Sequence, residues 1–139
     1  MKRFLLLITF CLLCSCHSSS STKIVFDYTD VSTHIDWKDV FVQDECEYMV
    51  YFYSLSCGHC KELKQYILDY YFAHDDLMFF VETSKSEDAK FGKDPNLIGA
   101  CDISTFYILG TPSLFKILDG KVYDFYSGVS QIKSYLHLN

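Results

Sequence analysis

Two cysteines two residues apart, Cys57-Gly58-His59-Cys60, are the part of this chain best suited to chemistry. They follow an apolar, aromatic run over Tyr48–Tyr53 and open a stretch with helical spacing that runs to about Ala73. A Cys-x-x-Cys pair at a strand-to-helix junction suits dithiol–disulfide exchange. The first sulfur then meets unpaired backbone N–H groups and the positive end of the helix dipole, and both stabilise a thiolate. The second cysteine, one turn on, can reach the first without straining a bridge. Cys57 is the candidate nucleophile, Cys60 the resolving thiol and Cys57–Cys60 the candidate disulfide. Half of a zinc site is the rival reading. It needs further closely spaced ligands, and Cys46, Cys101, His59 and His74 show no such pairing. Haem attachment needs a histidine after Cys60, where Lys61 stands. A structural bridge would be a poor use of so short a loop. No metal and no organic cofactor is expected.

The elements that must hold this pair can be read along the chain. Lys23–Tyr28 alternates apolar and polar residues, as a first strand would. Asp36 can cap a short helix over Trp37–Gln43, with Trp37, Val40 and Phe41 on its inner face. Tyr48–Tyr53 reads as a central strand buried on both faces. From Cys60, Leu63, Ile67, Tyr70 and Tyr71 form the apolar stripe of a helix. Leu77–Val81 is a second buried strand, parallel to the first if the helix is a crossover. Thr83–Lys93 reads as a loop with a short helix. Asp94-Pro95 starts a helix over Pro95–Cys101. Leu114–Leu118 and Val122–Tyr126 form a hairpin around Asp119-Gly120. After Gly128, Ser130 caps a last helix with Ile132, Tyr135 and Leu136 inward. The fold class is α/β, with a central sheet flanked by helices.

The 139 residues suffice for one domain with a real core, and a 50% hydrophobic content excludes wholesale disorder. Formal charge is −6, and the chain without Lys2 and Arg3 of the leader is −8. An acidic surface argues against nucleic acid and against lipid headgroups as electrostatic partners.

Met1-Lys2-Arg3 is a positive start, and Phe4–Leu13 is an apolar run broken only by Thr9. The run is too short to span a bilayer but suits a secretory signal. Leu13-Cys14-Ser15-Cys16 resembles a bacterial lipobox. That resemblance implies cleavage before Cys16, lipid on its sulfur and a mature protein anchored on the extracytoplasmic face of a bacterial membrane. A signal without lipid is the alternative. Residues 1–16 are thus read as the leader with its lipidated Cys16, 17–30 as a flexible Ser-rich tether, and 31–139 as the domain.

The order of elements, with Cys-Gly-His-Cys-Lys at 57–61 and Gly110-Thr111-Pro112-Ser113-Leu114, resembles the thioredoxin fold. The first motif is similar to the active-site sequence of protein disulfide isomerases and the second to the family's proline signature. The resemblance covers roughly 33–138. It implies that Cys57 attacks, that Cys60 resolves the mixed disulfide and that Pro112 is cis, facing the two thiols. The backbone of Thr111 would pair with an extended substrate segment. Gly58 and His59 are the tuning positions, and a partly protonated His59 near Cys57 would stabilise the thiolate. Two departures stand out. The family's buried acid, six residues before the first cysteine, is replaced by Tyr51, expected in the core with its hydroxyl on a local partner. Ser56 replaces the usual aromatic residue before Cys57.

The implied function is a membrane-anchored thiol–disulfide oxidoreductase. Its partners would be cysteine-containing extracytoplasmic proteins and an electron donor or acceptor that the sequence does not name. It is expected to act as a monomer. The alternative is a non-catalytic module that kept the fold to hold peptides. Cys46 and Cys101 could pair or remain two free thiols.

Overall fold

The computed structural model describes residues 24–138, so the leader, Cys16 and the serine run lie outside the described residues. The apolar run forms β1 (Glu47–Tyr53). Side chains alternate across a strand. Met49, Tyr51 and Tyr53 therefore enter one core cluster, and Tyr48, Val50 and Phe52 enter the other. Both faces are covered, which explains the lack of polar alternation in the run.

α1 (Gly58–Ala73) follows and buries Cys60, Leu63, Ile67 and Leu68 on the first cluster. It leads to β2 (Met78–Glu82), parallel to β1 with Val50 opposite Phe79. β3 (Ser113–Leu118) lies antiparallel on the other side of β1, and β4 (Lys121–Ser127) lies antiparallel to β3. The sheet order is β2-β1-β3-β4. Asp119 and Gly120 take φ of 49° and 71°, the left-handed pair that a tight hairpin turn requires. α2 (Val129–Tyr135) then packs Ile132 into the first cluster, with Tyr135 stacked on Tyr126 at 4.1 Å. The second cluster is aromatic: Phe52 meets Trp37, Phe106 and Phe115 at centroid distances of 5.4 to 6.0 Å.

Four expectations are corrected. The stretch expected as a strand over Lys23–Tyr28 is not one where it is described. Ile24 and Val25 are 69% and 75% exposed, and the chain then enters a 3-10 turn at Tyr28–Asp30. The outer edge of β2 is taken instead by Thr33 and Ile35, which exchange backbone bonds of 3.0 Å with Phe80. The helix expected over Trp37–Gln43 shrinks to a 3-10 turn at Trp37–Asp39, and Asp36 makes no side-chain cap bond. The Val42 N–H bonds the Asp39 carbonyl three residues back, which tightens the turn where an α-helix would continue.

The helix expected over Pro95–Cys101 is absent. Asp94 Oδ1 takes the Asn96 N–H at 2.9 Å, a local turn that competes with helix. The Gly99 N–H and the Ala100 carbonyl are spent on Val122 at 2.8 Å each, so this segment edges β4. Gly128, with φ of 83°, caps α2 in place of Ser130, which lies inside the helix. Gln131 Oε1 reaches back to the Ser127 N–H at 2.9 Å and does part of the capping.

Candidate functional site

The antiparallel register of β1 and β3 builds the site. Phe52 faces Ser113, so the residues leaving β1 meet those entering β3. Ser54–Cys57 therefore comes up against Gly110–Pro112 at one end of the sheet. The Ser54 carbonyl accepts the Cys57 N–H at 3.1 Å and turns the chain into α1. Cys57 is the N-cap of that helix, with extended backbone at φ −77° and ψ 123°. Its sulfur takes the place that a Ser or Asp oxygen fills in an ordinary cap and accepts the Cys60 N–H at 3.3 Å. From the other side, Cys57 Sγ donates to the Thr111 carbonyl at 3.2 Å. The Thr111–Pro112 bond is cis, and Pro112 is buried.

The two sulfurs differ in burial and in acidity. Cys60 is 1% exposed, whereas Cys57 is only part-buried and stands at the surface end of the pair. Burial pushes Cys60 up to about 12, and its hydrogen bond with Cys57 adds to that. Burial also pushes Cys57 upward, but donors outweigh it: the Thr111 side chain, Cys60, and the backbone N–H groups of Cys60 and His59. The net result lies below an ordinary thiol. The contact with the Thr111 carbonyl requires a protonated sulfur. On ionisation the sulfur turns to these donors, which face it in advance.

Between them, Gly58 leaves its flank open, and an added Cβ would meet nothing within 4 Å. The His59 imidazole is 76% exposed and sits 3.6 Å from Glu62, while its backbone N–H serves Cys57. Tyr51 is fully buried and its hydroxyl lies 3.4 Å from that of Tyr28. Tyr28 in turn reaches the Cys60 carbonyl at 3.5 Å. Sequence reasoning missed Tyr28 at the site, because it lies far upstream in a stretch read as a strand. No local spacing pointed to it. A cleft of about 540 Å³ is walled in part by Tyr28, His34, Tyr53 and Leu55, and neither cysteine lines it.

Cys46 and Cys101 are both free and exposed at the opposite end of the sheet. Cys46 accepts the Asp119 N–H at the start of β1, and Ala100 bonds Val122 on the outer edge of β4. β3 and β4 therefore stand between them. Three strand spacings of about 4.8 Å each are roughly twice the separation a disulfide tolerates. Among the described residues, no group of three or more His, Cys, Asp or Glu could hold a metal ion. No described helix is long and apolar enough to cross a membrane.

No protein-family model and no curated protein sequence matches the chain. Solved structures do. A variant thioredoxin from Halobacterium salinarum superposes with a TM-score of 0.52 at 16% identity, covering 76% of this chain and 85% of that one. Mitochondrial thioredoxin 3 from Saccharomyces cerevisiae, in its oxidised form, gives 0.52 at 15%, covering 79% and 96%. Thioredoxin f2 from Chlamydomonas reinhardtii gives 0.50 at 14%, covering 76% and 90%. At such identities the likeness speaks for architecture alone, and by its mixed sheet, its helices and these superpositions the chain has a thioredoxin-like α/β fold.

Proposed function

We propose that the protein is a thiol–disulfide oxidoreductase, anchored through lipid on Cys16 to the outer face of a bacterial membrane, where it acts on cysteines of other proteins. The observation that carries the chemical part is the asymmetry of the pair. A surface sulfur with a lowered pKa caps a helix, and a sealed sulfur with a raised pKa waits one turn behind it. An attacking thiol must be ionised and reachable, and a resolving thiol must be held back until it is needed. The solved structures that superpose are thioredoxins by name, which agrees with this reading. The anchored location rests on the leader sequence.

In the reducing direction the Cys57 thiolate attacks a substrate disulfide R–S–S–R′. A Cys57–S–S–R bond forms and R′–S⁻ leaves. Cys60 loses its proton and attacks the Cys57 sulfur, which closes the Cys57–Cys60 bond and releases R–S⁻. Two electrons have passed from the dithiol to the substrate. Oxidation of a substrate dithiol is the same path in reverse. A low Cys57 pKa makes it a good leaving group and shifts the couple toward the oxidising side. The cis Thr111–Pro112 turn sits against the attacking sulfur and shapes the groove in which a substrate backbone would lie beside Thr111.

Cys60→Ala is expected to accumulate mixed disulfides with other proteins through Cys57, and Cys57→Ala to accumulate none. Insulin reduction and a measured reduction potential for the pair complete the test. Absence of both turnover and trapped adducts would favour the peptide-holding module. Incorporation of a palmitate analogue, lost in Cys16→Ala, tests the anchor.

A further inference from the structure

The thiol chemistry leaves the 540 Å³ cleft unused. Leu55, 52% exposed, is part of its wall and stands two residues before Cys57. Consecutive Cα atoms are about 3.8 Å apart, so the Cα atoms of Leu55 and Cys57 lie within about 7.6 Å of each other. The rest of the wall is of two kinds. Ile35 and the stacked rings of Tyr28 and Tyr53, 4.0 Å apart, are apolar. Asp27, Asp36, Asp39 and Glu82 are acidic. Asp27 pairs with Lys64 and Glu82 with Lys85. Among the described residues, no ion pair engages Asp36 or Asp39, and the Asp36 side chain makes no cap bond. Four carboxylates thus face two ammonium groups, and the sum stays negative even with His34 protonated. The charge reaches the wall itself: burial first, then Glu82 and Asp27, push the Tyr53 hydroxyl above the usual phenol range. Among the described residues, these carboxylates do not gather as the ligands of a metal ion would.

Resting on the redox reading above, we infer that this cleft is a specificity subsite, which receives a lysine or arginine of the substrate protein a few residues from the cysteine that bonds Cys57. A mixed disulfide puts its two Cα atoms about 5.5–6 Å apart, and an extended chain advances about 3.3 Å per residue. A residue about three positions from the substrate cysteine therefore has the reach to enter the cleft past Leu55. A cavity of this size takes a whole side chain. Lysine and arginine carry a hydrocarbon stem, which suits Ile35, Leu55 and the phenol rings, and a cationic end, which suits Asp36 and Asp39. An acidic side chain at the same place would meet like charge and be turned away. The exchange at Cys57 is unchanged, and the cleft sets which disulfides reach it.

The test uses the full chain carrying Cys60→Ala, so that an adduct formed on Cys57 stays. The probes are disulfide-linked dimers of a short peptide whose central cysteine lies three residues from each end, with arginine, glutamine or glutamate at both ends. Acid quenching and mass analysis of the segment holding Cys57 follow the adduct. Each rate is divided by that for hydroxyethyl disulfide, so a general change in Cys57 cancels. The arginine peptide is expected to react about fivefold faster than the glutamine peptide at low salt, the size that two surface charge pairs give, and the glutamate peptide slowest. The preference should fall to within about twofold in the double variant Asp36→Asn, Asp39→Asn, and in the parent at about 1 M salt. Asp44→Asn with Glu45→Gln removes the same charge before the start of β1, at the end away from Cys57, and should leave the preference intact. No preference for arginine in the parent, its survival in Asp36→Asn, Asp39→Asn, or an equal loss in both double variants overturns the subsite while the redox reading stands. If no disulfide forms an adduct on Cys57, both fall.

Discussion

A sulfur bound to a helix N-terminus and a sulfur sealed behind it answer differently to pH. Cys57 should react with iodoacetamide along a curve whose midpoint lies below the ordinary thiol value, while Cys60 stays unmodified until the fold is lost. Thr111 tests the cause. Thr111→Val keeps the shape and the carbonyl but removes the hydroxyl, one of the groups that lower Cys57. A hydrogen bond to a charged group contributes about 1.5–3 kcal/mol when sheltered, and Cys57 is partly exposed, so the midpoint should rise by roughly half to one unit. An unchanged midpoint would show that the backbone N–H groups suffice. Cys57 and Cys60 could be found in the sequence because two residues between thiols at a helix start are a local pattern. Tyr28 could not, since the contact it makes joins residues far apart in the chain.

At the scale of elements, the segment that delivers Thr111 is held by few bonds. Gly92 and Ile108 are joined at 3.0 Å, and so are Ile108 and Lys90. Gly92 lies under the Tyr107 ring, and a Cβ there would come within 2.2 Å of it. Gly92→Ala must therefore push the ring aside and strain the Tyr107 hydroxyl bond to the Asp94 carbonyl, at 3.0 Å. Denaturant melts should show a loss of about 1–3 kcal/mol, the usual cost of overpacking. The Cys57 alkylation midpoint should drift upward as Thr111 loosens, and a variant as stable as the parent would show that the ring has room to move. The same segment explains what the sequence could not say. β1, α1, β2 and the hairpin declared themselves through long apolar runs, a helical stripe and an Asp-Gly turn. The 95–101 stretch offered Asp-Pro, a fair helix start, but Gly99 and Ala100 spend their backbone groups on Val122. Likewise the edge partner of β2 was settled by tertiary pairing at Thr33 and Ile35, and the alternation of the preceding residues did not predict it.

At the scale of the whole molecule, three tyrosines buried on one face make alkaline pH the weak side of the fold. Burial is the main reason that Tyr28, Tyr51 and Tyr53 resist ionisation. In the unfolded chain they ionise near pH 10. Above that the unfolded state holds fewer protons than the folded one, so stability falls with rising pH. Tyr28 and Tyr51 together contribute a slope of about 3 kcal/mol per pH unit, against a total stability of about 5–15 kcal/mol, so unfolding is expected within a few units of pH 10. Tyrosinate absorbance should then appear for these residues in the same cooperative step as the loss of circular dichroism. A gradual rise with the fold intact would contradict the burial argument. The cysteines add a redox dependence. Cys60, raised to about 12, makes the reduced form lose stability once the unfolded thiol begins to ionise near about 8.5. Cys57 acts with the opposite sign: its contribution is complete above that value and is lost as pH falls through its lowered folded pKa. A Cys57–Cys60 disulfide has neither titration. Between pH 8.5 and pH 9.5 the melting temperature should therefore fall more steeply in the dithiol form than in the disulfide form, where only the tyrosines contribute. Parallel melts with and without reductant check this, and equal slopes in the two forms would mean that the Cys60 thiol is not sealed from water.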